Sequence, residues 1–395
     1  MWFFRLIVLL LSIAAPVSAG AFEAPPVTKA EQILGPEATG PNYRVDPEVR
    51  SDGLLHLFTI HTAFGSFEVA GDDLVRTRIR ELGALRKLQA MSETDVFAKS
   101  LGEAAAAPLK YGADLLTDPA ATLKKSVSGV ANLFGRVSAG LSNSKANRDN
   151  VLTSILGVDS ARRALAVQLG VDPYTDFPPL ASKLNDVASA AAFGGLTVKG
   201  LMMVIPGGAG VAVSSASTVD TVRATLLEKT SAQIAESVMA GLLKARVPRA
   251  TAERLVQNRM YTPADLLILS KALASLKAQN TALFVARAAG AATREEAVFQ
   301  RRRAELLASN ANSMGIGPFV DVAGFPLNRL KDGRLLALFP LDEVAWTEGV
   351  AGAFSRMAEA ASGEASSPVL AVTGTLTTLA DAEVARAGWS SQRVR

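Results

Sequence analysis

The chain has 395 residues, 49% hydrophobic and 20% charged, with 41 basic against 37 acidic side chains and a net charge of +4. So slight a positive excess does not make a nucleic-acid surface. The absence of cysteine excludes disulfide staples, thiolate metal ligands and a lipid-modified N-terminal cysteine.

At the N-terminus, Arg5 precedes a run from Leu6 to Ala15 in which only Ser12 is polar, then Pro16 and the small-residue pattern Ala19-Gly20-Ala21. The apolar run is short of the roughly 20 residues that span a bilayer. It predicts a cleavable export signal over 1–21 and a periplasmic protein beyond it. Residues 22–52, with Pro25, Pro26, Pro36, Pro41 and Pro47, read as an extended lead-in. From Leu54 to Val69 the pattern becomes that of strands. Phe58, Ile60 and Thr62 alternate with Leu57, Thr59 and His61, and Ala63-Phe64-Gly65-Ser66 turns the chain into Phe67-Glu68-Val69, a β-hairpin.

Asp72-Asp73 then opens a helix with Val75, Ile79, Leu82, Leu85 and Leu88 on one side. Further helix starts are marked by Ser92 with Asp95, Asp118-Pro119, Thr230 with Gln233, Thr262 with Asp265, and Thr293 with Glu296. Near the C-terminus, Pro318–Val322 and Arg334–Phe339 read as strands joined through Lys331-Asp332-Gly333. A helix near 347–361, a buried strand over Val369–Val372 and a closing helix through Leu376, Leu379, Ala380, Val384 and Ala387 follow. The expected fold is α+β and predominantly α-helical: an N-terminal β-hairpin, a long helical body and a small C-terminal α/β unit. The expected divisions are 1–21, signal; 22–52, lead-in; 53–317, hairpin plus helical body; and 318–395, α/β unit.

The stretch Leu169-Gly170-Val171-Asp172-Pro173-Tyr174, the Phe64–Val69 hairpin and the Gly388-Trp389 ending resemble an uncharacterised family of exported proteobacterial proteins, over most of the chain. That family has no established activity, so the resemblance implies none.

Motifs of chemistry are scarce. His56 and His61 are the only histidines and, five apart on a strand, point to opposite faces, which argues for structural roles and against a shared metal. No Gly-x-Ser-x-Gly elbow is present. Pro206-Gly207-Gly208-Ala209-Gly210 lacks the Lys-Ser/Thr of a phosphate loop and has Val213 where a dinucleotide loop wants Gly or Ala. Around it, 187–219 carries Lys199 as its only charge and reads as a buried helical hairpin or a membrane-insertion element. Arg301-Arg302-Arg303, flanked by Glu295, Glu296 and Glu305, reads as a solvated helix face.

The sharpest signal is 119–141. Leu123, Val127, Val130, Phe134, Val137 and Leu141 form one apolar stripe at helical spacing, and Lys124, Lys125 and Arg136 are the only charges. Such a helix either lies on an anionic lipid surface or meets a partner, or packs its stripe into the core. These readings lead to a non-enzymatic envelope protein that associates with a membrane surface or a protein partner, with no catalytic, cofactor or metal residues assigned. Two other classes stay open: a soluble periplasmic ligand-binding protein, and an enzyme without a recognisable motif.

Overall fold

The computed structural model describes residues 22–94, 145–193, Val198, 217–363 and 367–395. Among the described residues it has 12 helices and 13 strands in three sheets, 53% helical and 20% strand.

The N-terminal unit begins with β1 (Val27–Lys29), α1 (Ala30–Leu34) and a 3-10 turn (Gly35–Ala38). The strands β2 (Thr39–Gly40), β3 (Tyr43–Val45), β4 (Glu48–Ser51), β5 (His56–Thr62) and β6 (Gly65–Ala70) follow. Central β5 pairs antiparallel with β6 along its length on one edge, and with β4 at its start and β3 at its end on the other. One face of this sheet, Val45, Val49, Phe58, Ile60 and Val69, is buried, and α2 (Asp72–Ser92) packs its Leu74, Val75, Leu82, Leu85 and Leu88 into the same core. Gly71 joins β6 to α2 at φ +94°, a conformation a side chain strains to adopt.

The middle of the chain is helical: α3 (Lys145–Leu169), α4 (Pro178–Phe193), α5 (Ser217–Glu228), α6 (Ser231–Lys244), α7 (Arg249–Val256), α8 (Pro263–Leu276), α9 (Thr281–Ala288) and α10 (Arg294–Ser309). Local chemistry starts several of these. Thr230 and Thr262 accept from the backbone N–H groups of Gln233 and Asp265 in reciprocal capping boxes, and Thr293 accepts from Glu296 N–H.

The C-terminal unit comprises β7 (Ile316–Val322), β8 (Phe325–Leu330), β9 (Leu335–Phe339), β10 (Glu343–Val344), α11 (Glu348–Ala361), β11 (Val369–Val372), β12 (Thr375–Leu376), α12 (Thr378–Arg386) and β13 (Ser390–Arg393). Its five-stranded sheet runs β13-β11-β9-β8-β7, with β9, β11 and β13 parallel and β7, β8 and β9 antiparallel. Leu336, Leu338, Val369 and Ala371 face a core shared with α6–α10. Leu335, Ala337, Leu370 and Val372 face a second core under α11 and α12. A sheet covered on both faces explains why Val369–Val372 is apolar at every position.

The expected fold class is corrected by these sheets. The chain is not a helical body carrying one hairpin and a small α/β unit, because the hairpin is two strands of a six-stranded sheet. The other four strands come from 22–52, read as an extended lead-in. They are two to four residues long, too short for alternation to register against five prolines. At the other end, Phe325–Leu330 and Ser390–Arg393 are strands absent from the sequence reading; the latter is exposed at all four positions and carries no apolar pattern.

Candidate functional site

The N-terminal and C-terminal units meet at a partly buried polar cluster. His56 opens β5, Asp72 is the first residue of α2, and Asp342 and Glu343 follow β9. His56 Nδ1 lies 2.8 Å from Asp72 Oδ1 and 3.9 Å from Asp342 Oδ2, while Nε2 lies 3.6 Å from Glu343 Oε2. The His56 and Asp342 side chains are each 9% exposed. Asp342 Oδ2 accepts the backbone N–H groups of His56 at 3.0 Å and Asp72 at 3.2 Å, so one carboxylate ties the start of β5 and the start of α2 to the C-terminal unit. Burial and the neighbouring Asp72 push the Asp342 carboxyl up to about 7. Burial pulls the His56 imidazole down, but Asp72, Asp342 and Glu343 together outweigh it and its pKa is raised. Glu343 Oε2 is buried and has no hydrogen-bond partner.

A second tie lies close by in the fold. Glu23 Oε1 accepts from Trp346 N–H and the Thr377 hydroxyl, both at 2.5 Å, so the first described residues are fastened to the C-terminal unit.

The solvent face of the N-terminal sheet carries a different arrangement. His61 Nδ1 is 2.8 Å from Ser66 Oγ, and its Nε2 is 2.7 Å from Asp46 Oδ1. Ser66 stands opposite His61 across the hairpin. Serine, imidazole and carboxylate are in the order of a nucleophilic relay, yet the His61 and Asp46 side chains are 39% and 41% exposed. Stabilisation of a developing oxyanion is strongest where preorganised donors face it in a water-excluded site. On this open face the contacts read as a cross-strand network.

Asp46 also lines a cleft of about 790 Å³ on that face, together with Glu48, Arg50, Leu57, Glu68 and Glu295. Leu57 is 40% exposed. Of the large apolar side chains left exposed among the described residues, Phe22, Val27, Leu57 and Phe64 all belong to the N-terminal unit, with Leu227 the exception. A smaller cavity of about 20 Å³ adjoins the cleft through Ala70 and Glu295 and is bounded by Asp72 and Asp342.

No protein family, curated protein or solved structure matches this chain. The site therefore has to be read from its own chemistry.

Leu123, Lys124, Lys125, Val127, Val130, Phe134, Arg136, Val137 and Leu141 lie outside the described residues, as does the glycine-rich 206–210. Among the described residues no helix is long and apolar enough to cross a membrane. His56 and His61 do not meet: His56 shares the buried side of β5 with Phe58 and Ile60, and His61 turns the other way. The arginine run departs from the expected solvated face. Arg303 is 1% exposed, and Arg301 pairs with Asp265 and Glu305. Position 303 lies on the side of α10 that packs on the C-terminal sheet, which charge pattern alone does not reveal. Asp342 and Glu343 carried no sequence signal, because their partner His56 is 286 residues away from Asp342.

Proposed function

We propose that this is a non-enzymatic, exported envelope protein that holds a protein partner on the open face of its N-terminal sheet. The occupant is a basic segment with apolar side chains. The observation that carries this reading is the cleft itself. Asp46, Glu48, Glu68 and Glu295 set four carboxylates against the single guanidinium of Arg50, around the exposed Leu57. An exposed leucine within an acidic surround suits a partner that brings both apolar area and positive charge. An anionic lipid surface is disfavoured at this face, since four carboxylates repel it.

Photo-crosslinking in cells tests the reading. A photoreactive side chain at Leu57 should give a discrete protein adduct, whereas one at exposed Glu359 should not. Changing Glu48→Lys together with Glu68→Lys should suppress the adduct. Adducts to lipid alone, or equal adducts at both positions, would overturn the proposal.

A further inference from the structure

We propose that His56, Asp72 and Asp342 bind one divalent transition-metal ion of the zinc class, with Glu343 orienting the histidine from behind. The inference is independent of the partner-binding reading.

Two segments 16 residues apart and a third from the C-terminal unit bring one imidazole nitrogen and two carboxylates together, with their ligand atoms all within 4.8 Å of one another. A nitrogen and oxygen set without thiolates suits Zn²⁺. Bonds of about 2.0–2.2 Å in tetrahedral geometry place neighbouring ligand atoms roughly 3.4 Å apart. The two separations seen from His56 Nδ1, 2.8 Å to Asp72 and 3.9 Å to Asp342, bracket that value. Shifts of about half an ångström, one outward and one inward, would admit an ion.

Charge points the same way. Three carboxylates surround a single imidazole, and even a protonated imidazole offsets only one of them. Within the cluster no lysine or arginine is paired with Asp72, Asp342 or Glu343 among the described residues. A divalent ion supplies the missing positive charge where burial makes it most valuable.

The outer contacts are those that a metal-bound histidine uses. With Nδ1 on the metal, the ring proton resides on Nε2, which lies 3.6 Å from Glu343 Oε2, the buried oxygen that otherwise lacks a partner. Asp342 is oriented by two backbone N–H groups that both donate to Oδ2, which leaves the lone pairs of Oδ1 for an ion. The cavity of about 20 Å³ against Asp72 and Asp342 has room for one water as the remaining ligand.

The test uses the mature protein, stripped with a chelator and titrated with Zn²⁺ in a calorimeter, with Co²⁺ as an optical probe. One equivalent should bind per chain, and cobalt should give the intense visible bands of a tetrahedral site. His56→Ala should abolish binding. Asp72→Asn provides the second variant, because the Asp72 side chain is 32% exposed and its loss should leave the fold intact by circular dichroism. It too should lose the cobalt spectrum. Glu343→Gln should weaken affinity about 10–100-fold while keeping the stoichiometry. No uptake by the wild type, or unchanged uptake by folded Asp72→Asn, would overturn the assignment.

Discussion

The guanidinium carbon of Arg303 sits 4.6 Å from the centroid of the Phe339 ring, with Arg303 only 1% exposed. A second ring, Phe284, lies 5.4 Å away. Arg303 Nε donates to the Leu338 carbonyl at 2.9 Å and a terminal nitrogen donates to the Pro326 carbonyl at 2.5 Å. No carboxylate pairs with Arg303 among the described residues, and burial, helped by Arg287, pulls its pKa down to about 9. A planar donor fork between two rings bridges α10 to the carbonyls of β8 and β9.

Arg303→Lys should therefore behave as a severe change. Its ammonium is a single point that burial pushes towards the neutral amine, and it lacks the planar fork that spans the two separated carbonyls and stacks on Phe339. Losing one buried hydrogen bond and the ring contact should cost at least about 2 kcal/mol. Urea unfolding monitored by fluorescence measures this. A lysine variant as stable as the wild type would show that the fork does not hold the sheet to α10.

The clamp at His56 makes stability depend on pH. Asp342 is raised to about 7, so between its unfolded value near 4 and pH 7 the folded chain binds the proton that the unfolded chain has released. His56, also raised, holds its proton to higher pH folded than unfolded. Asp172, pushed up to about 7 by burial and by Asp265, acts like Asp342. All three contribute stability that is lost as pH rises through their folded values. With metal chelated, the melting temperature should be higher at pH 5.5 than at pH 8. Asp342→Asn, which keeps an acceptor for the two backbone N–H groups, should flatten the dependence. A profile rising towards pH 8 would contradict the clamp electrostatics.

Gly374 passes against the backbone of Asp342, donating its N–H to the Leu341 carbonyl at 2.8 Å, and a Cβ there would overlap the Asp342 carbonyl oxygen. Gly374→Ala must shift one backbone segment off the other and should cost at least about 2 kcal/mol of stability. Gly349→Ala, where a Cβ meets nothing within 4 Å, is the control and should be neutral or slightly stabilising. Chemical denaturation of the pair checks this. Equal stability in the two variants would remove the steric argument.

Ser66 should not behave as a nucleophile. A fluorophosphonate probe should leave the protein unlabelled, since the His61–Ser66 pair is open to water. Labelling that disappears in Ser66→Ala would instead make the surface relay an enzyme's and sink the non-enzymatic proposal.

What was legible in the sequence was local. The Thr230 and Thr262 capping boxes need only residues three apart, and the β5–β6 hairpin announces itself through alternation within sixteen residues of chain, from Leu54 to Val69. The apolar side of α2 followed from helical spacing, and Val75, Ile79, Leu82, Leu85 and Leu88 are all buried. What stayed hidden depends on partners far along the chain. Arg303 looks like its neighbours Arg301 and Arg302 until α10 is laid on the sheet. Of the strands in 22–52, β3 and β4 pair on β5 while β1 and β2 add to them in turn, and their own two to four residues carry too little pattern to declare it. Opposite faces keep His56 and His61 apart, as strand periodicity requires, but nothing in 56–72 signals that Asp342 completes a cluster around His56.

The fastening of Glu23 to Trp346 and Thr377 has a consequence for how the chain reaches this structure. Those partners lie 323 and 354 residues apart in sequence. At about 5–20 residues per second, roughly 20–70 s of synthesis separate the two ends of that contact. Glu23 must wait for a unit not yet made, so the N-terminal unit begins life with an incomplete boundary. Contacts of such long range also slow the search for the native topology. The last event in folding should be the closing of the chain's ends upon each other, with the N-terminal residues still open to capture by a chaperone or a protease until the C-terminal sheet has formed.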